Sequence, residues 1–193
     1  MPGTPEGDGH DLFRYGTIVA FVLCYCTIIL GGNVIASGSG LGCPDWPTCH
    51  GTFTPSLAGP QGVEYLHRIA AGLLSICIFA LVPIAYRSER DRPILQRMTY
   101  LAAGLVLVEA LLGGLVVEDA LRIPLVLAHF FLATALFALL LLLAALANLR
   151  QIPRRWLVWA ERAADGSSEP AERSPDEEAA PAPSVPGVPS GRS

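Results

Sequence analysis

The chain has 193 residues, of which 52% are hydrophobic and only 16% charged, where soluble domains carry roughly 25% charged residues. That composition does not fit an ordinary soluble domain; the formal net charge of -4 comes largely from the tail and says little about partners, and no nucleic-acid partner is expected. Between the short charged connectors run four apolar stretches of about 19 to 27 residues, and a helix of about 20 residues crosses a bilayer.

Residues 1–15 read as an N-terminal cytoplasmic segment. They include Glu6, Asp8 and Asp11, unlike the basic start of a removable signal peptide. The first span runs from Gly16 to Ile35 and closes on Leu30-Gly31-Gly32-Asn33-Val34. A loop from Gly38 to Gly62 follows, with no basic residue and with the stretch Gly42-Cys43-Pro44-Asp45-Trp46-Pro47-Thr48-Cys49-His50. Outside a bacterial inner membrane a Cys43–Cys49 disulfide can persist. It reads either as a structural staple or as a redox-active pair. Together with His50 the two make a poor zinc site, because a fourth ligand is missing. Trp46 reads as a membrane-interface residue.

The second span covers Val63 to Tyr86, with Pro83 a candidate kink near its end. The third covers Thr99 to Val117. The fourth covers Ile123 to Leu149, with Pro124 in its first turn, where the missing N–H costs nothing. Cys24, Cys26 and Cys77 lie within spans and read as small packing residues. Residues 16–149 thus form a four-helix transmembrane domain. Residues 163–193 are rich in Pro, Ser, Glu and Ala without apolar periodicity. They read as a disordered cytoplasmic tail, since such a segment buries too little surface to offset its ordering entropy.

Arginine counts set the orientation. The 38–62 loop has none, and the third connector has only Arg122 beside Glu118 and Asp119. The second connector carries Arg87, Arg90, Arg92 and Arg97, and the fourth span is followed by Arg150, Arg154, Arg155 and Arg162. The expectation is an inner-membrane, multi-pass protein with both termini cytoplasmic and the Cys43/Cys49 loop outside. A repeat is also visible. Each Gly pair (Gly31-Gly32, Gly113-Gly114) ends an outward helix, and each following inward helix carries a histidine near its start, His67 or His129. The fold class expected is all-α, an integral membrane four-helix bundle with internal 2+2 pseudo-symmetry.

A histidine inside a membrane segment is costly and marks a functional site by default; the bland alternative is a ring at headgroup level. His67 and His129 fall about 6 and 9 Å below the outer boundary, so their levels agree within one turn. Two facing neutral imidazoles in an apolar slot suit an iron porphyrin with its propionates toward the outer surface, and suit zinc less. Glu64 precedes His67 by one turn. It reads either as an i,i+4 ion pair with Arg68 or as an acid, base or charge stabiliser at the haem edge, and Arg68 could equally hold a propionate.

The two glycine pairs, the stretch from Gly38 to Gly51, Glu64-Tyr65-Leu66-His67-Arg68 and His129 together resemble the haem A synthase family. The resemblance extends over about Gly16 to Ala147. It implies His67 and His129 as axial ligands of haem iron, Glu64 as a catalytically required carboxylate, and Cys43 with Cys49 as the outer-loop pair. It implies oxidation of a methyl substituent of haem O, the substrate, to the formyl group of haem A for cytochrome oxidase assembly, with electrons passed by a bound haem b. The usual family member has eight helices in two such halves. A basic residue is expected where Ala36 stands, and a glutamine where Glu109 stands. An unpaired carboxyl at mid-span is costly if ionised, so Glu109 is expected to be protonated or hydrogen-bonded. With both histidines on one iron no coordination position is left for chemistry, so the expected partner is a second copy in a homodimer or a second four-helix half. The other classes are a non-enzymatic bis-histidine electron-transfer or oxidase assembly protein and one half of a split synthase.

Overall fold

The computed structural model describes residues 5–149. The expected tail at 163–193 and the four arginines after Leu149 lie outside the described residues. The chain is an all-α membrane bundle of four helices: α1 (Pro5–Ala36), α2 (Gly59–Ser88), α3 (Pro93–Glu118) and α4 (Ile123–Asn148). All four are long and apolar enough to cross a membrane. Their outward surface is what lipid requires: Ile76, Leu127 and Phe131 are exposed. α2 continues through Pro83.

Three helices start earlier than hydropathy suggests. Hydropathy marks the part of a helix that sits in hydrocarbon, whereas the ends are set by prolines and polar pairing. α2 and α3 both begin with a proline in their first turn, where a preset φ helps and a lost N–H is harmless. α1 runs back to Pro5, so the 1–15 segment is mostly the first turns of α1. Phe13 and Thr17 on those turns are fully buried. Three polar side chains there find partners: His10 Nδ1 lies 2.9 Å from Glu89 Oε1, and Arg14 reaches Asp11 and Asn148. Glu89 is itself buried, and Arg92 bridges it to the Leu146 carbonyl. The end of the bundle remote from the 38–62 loop is thus tied across all four helices.

Each helix packs on its neighbours in chain order and α4 closes against α1, so α1/α3 and α2/α4 are the diagonals. The buried core is built from a repeating set. The shift along the chain that carries Gly31 onto Gly113 also carries Phe13 onto Leu95, Thr17 onto Thr99, Ala20 onto Ala102 and Cys24 onto Val106, and all of these are buried. The shift that carries His67 onto His129 carries Leu74, Ile78, Leu81 and Ala85 onto Leu136, Leu140, Leu143 and Ala147, again all buried. The two-helix unit therefore occurs twice, residue by residue. This core fills only the half of the bundle remote from the loop. Above Cys24, Leu74, Val106 and Leu136 the main buried cluster ends, with Val34 and Val116 buried nearer the loop, and the glycines and histidines begin.

The loop is fitted against the bundle through close glycine contacts. A Cβ on Gly62 would stand 2.1 Å from the Leu57 carbonyl oxygen, and one on Gly42 would stand 2.5 Å from that of Pro60. Gly32 has nothing within 4 Å. Gly62→Ala should therefore lower stability by about 1–3 kcal/mol, the usual cost of forcing atoms into a filled site. Gly32→Ala should leave the thermal midpoint in detergent unchanged; equal midpoints for the two variants would contradict this packing.

Candidate functional site

The site begins at the level where the apolar core ends. His67 lies on α2 about 12 Å from its start and His129 on α4 about 9 Å from its start, so the two agree in height within one turn. They belong to diagonal helices, across the bundle from each other. Each ring leans on the glycine of its own hairpin. A Cβ on Gly31 would stand 3.0 Å from His67 Cε1, and one on Gly113 would stand 3.1 Å from His129 Cε1. These equivalent contacts explain the first glycine of each pair: only a bare backbone lets the imidazole lie against the helix.

The second nitrogens differ. His67 Nδ1 is 3.1 Å from the Thr27 carbonyl oxygen, a contact in which the ring N–H donates and Nε2 is left for a ligand. His129 Nδ1 is 3.1 Å from Glu109 Oε1. That approach is off the hydrogen-bond direction, and His129 Nδ1 and Glu109 Oε2 are both buried without a hydrogen-bond partner. Sequence reasoning noted Glu109 as an expensive carboxyl but did not connect it to His129. The signal was present, because the repeat shift that carries Gly31 onto Gly113 carries Thr27 onto Glu109.

Glu64 and Arg68 do pair, and they do more. Glu64 is 3% exposed. Its Oε2 accepts the Cys43 N–H at 2.8 Å, and its Oε1 accepts from Arg68 at 2.5 Å. The Arg68 guanidinium also donates to the carbonyls of Asp45, Thr48 and Cys43 at 2.7, 2.6 and 2.8 Å. The pair binds the loop onto α2. The repeat equivalents of Glu64 and Arg68 are Val126 and Phe130, in the half whose connector is too short to need holding. Arg68 thus spends these donors on loop carbonyls.

Within the loop, Asp45 accepts from the Thr48 hydroxyl and from the N–H groups of His50 and Gly51. The Thr48 hydroxyl first, then the Gly51 N–H, hold its carboxyl at about 2, below its ordinary 3.8. Cys43 and Cys49 are both fully buried with their sulfurs 2.00 Å apart. Trp46, expected at the membrane interface, is 38% exposed and lays its indole on Gly114 of α3, where a Cβ would stand 2.9 Å from the ring. The second glycine of that pair is therefore covered by the loop, whereas its repeat equivalent Gly32 is bare.

Among the described residues no cluster of three or more His, Cys, Asp or Glu could hold a bare metal ion. Two histidines are, however, the ligand set of a six-coordinate haem. The residues fit one. Neither Nε2 has a protein partner among the described residues, the apolar layer stops beneath them, and the bordering backbone is glycine.

A family model described as cytochrome oxidase assembly protein matches residues 14–61 and 60–167. The chain belongs to that family. Among its relatives are haem A synthases of Geobacillus kaustophilus, 35% identical over 147 residues, covering 74% of this chain and 45% of the relative, and of Bacillus pumilus, 32% identical over 134 residues, covering 67% and 42%. That of Geobacillus thermodenitrificans is 31% identical over 153 residues, covering 78% and 47%. The chain thus spans a little under half the length of these family members, and its four helices form a half-length version of their chain. Family membership and the four long apolar helices make it a multi-pass plasma-membrane protein.

Proposed function

We propose that the chain is a haem A synthase-like membrane oxidoreductase that converts haem O to haem A by oxidising a methyl substituent to a formyl group. The observation that carries this reading is the matched pair His67 and His129, at one height on diagonal helices, each ring lying against the first glycine of its hairpin above the main buried cluster. In this proposal His67 and His129 are the axial ligands of a haem b, which supplies one-electron transfer when bound. Gly31 and Gly113 let the two rings approach. The Thr27 carbonyl holds the His67 ring with Nε2 toward the ligand.

Glu64 is proposed as the catalytically required carboxylate. Its two oxygens are shared between the Cys43 N–H and Arg68, which fixes it one turn from His67. Arg68 places its charge at the same level, where propionates would lie, while clamping the loop over the site. The Cys43–Cys49 bond fixes the tight turn on which that clamp acts. The loop faces outside and both termini are cytoplasmic, as the arginine distribution requires.

A haem held by both His67 and His129 would leave its iron no open position for substrate, so a second bundle would hold the substrate haem, and we propose a homodimer. The same six-coordinate arrangement favours a second reading, in which the chain is an electron-transfer half that acts with a separate four-helix partner. Expression of the chain alone beside a haem O source, followed by chromatography of extracted haems, separates the two. The homodimeric enzyme yields haem A; haem O alone, from protein loaded with haem, leaves only the partnered half.

A further inference from the structure

The two histidines occupy equivalent places in the repeat, yet their supports are chemically unlike. Beneath His67 is the uncharged backbone carbonyl of Thr27 at 3.1 Å. At the equivalent position beneath His129 a carboxylate side chain, Glu109, stands 3.1 Å from Nδ1 with its side chain 13% exposed. A buried donor and a buried acceptor oxygen without partners each cost about 1–3 kcal/mol. His129 Nδ1 and Glu109 Oε2 are such a pair of atoms, side by side. A turn of either side chain about its last bonds brings the N–H onto the carboxylate and satisfies both.

We propose that Glu109 is the positioning residue of His129: it accepts the Nδ1–H, fixes the tautomer with Nε2 free, and makes the two axial positions electronically unequal. A histidine that donates to a carboxylate is a stronger ligand than one that donates to a carbonyl, and such supports carry about 10- to 100-fold in metal affinity. A negative charge beside one ligand also favours the ferric state of the iron over the ferrous. The inference rests on the ligand reading above for its effect on haem, but the pairing itself does not need haem.

The test uses the full chain in detergent with Glu109→Gln and Glu109→Ala. Gln keeps an acceptor oxygen at nearly the same size and removes the charge; Ala removes both. In haem-free protein, 15N NMR of the imidazoles should show His129 as the Nδ1–H tautomer in the wild type and in Glu109→Gln, and a mixture in Glu109→Ala. In haem-loaded protein, Glu109→Gln should keep the low-spin spectrum but move the midpoint potential upward. Glu109→Ala should weaken haem binding by about 10- to 100-fold. A tautomer that ignores Glu109→Ala, or a potential and affinity identical in all three proteins, overturns the proposal. If the wild type shows no bis-histidine spectrum while the tautomer responds, the ligand reading falls and the Glu109–His129 pairing stands.

Discussion

His67→Ala and His129→Ala should each abolish the low-spin bis-histidine absorption spectrum of the purified, haem-loaded protein. The effect is expected to be complete rather than graded. Each imidazole stands alone at its level on its helix, and alanine leaves an iron with one axial ligand at best. The two losses should also be separable from unfolding. Both rings lie above the buried layer, which runs from Phe13 and Leu95 up to Cys24 and Val106, so removing either ring opens no cavity in that layer. The thermal midpoint of the haem-free protein should therefore stay near that of the wild type in His67→Ala, and in His129→Ala should fall by no more than the loss of the Glu109 partner, about 1–3 kcal/mol. A low-spin spectrum that survives in both variants would remove the ligand assignment.

The largest loss of stability is expected from Arg68→Ala. One side chain supplies four hydrogen bonds, three of them to loop carbonyls. Its removal leaves Glu64, 3% exposed, as a buried carboxylate facing only the Cys43 N–H. Breaking a buried pair from one side typically costs about 3–5 kcal/mol, because the remaining charge is uncompensated. Thermal unfolding in detergent should show this, with the loop made sensitive to protease. The double variant Arg68→Ala with Glu64→Ala should lose less than the two single losses together, since it leaves no orphan charge. Arg68→Ala with an unchanged midpoint would mean that the clamp contributes nothing measurable.

Much of this was legible in the sequence because membrane helices leave few choices. Apolar length gave the four spans, and the doubled pattern of glycine pair and histidine gave the two-fold plan. The helix ends were less legible. Pro5–Gly9 and Pro93–Met98 are not hydrophobic runs, and their helicity depends on partners such as Glu89 and on prolines at first turns. The double meaning of the Glu64–Arg68 spacing could not be resolved from the chain, because it depends on where the carbonyls of Cys43, Asp45 and Thr48 fold back to. The seat of Trp46 was hidden for a related reason. An indole in a polar loop reads as an interfacial anchor, and only the fold adds that Gly114, a helix away, lies beneath its ring. Glu109 was singled out by its cost, but its neighbour emerged only once the repeat could be laid over the whole buried set.

The confinement of the interdigitated layer to one half of the bundle bears on biogenesis. The helices already hold one another, through that layer and through the His10–Glu89–Arg92 tie, before any porphyrin arrives. The frame on which the two imidazoles stand thus rests on contacts within the chain itself. Under the haem reading proposed above, loading would be a docking event on an assembled frame rather than a condition for folding.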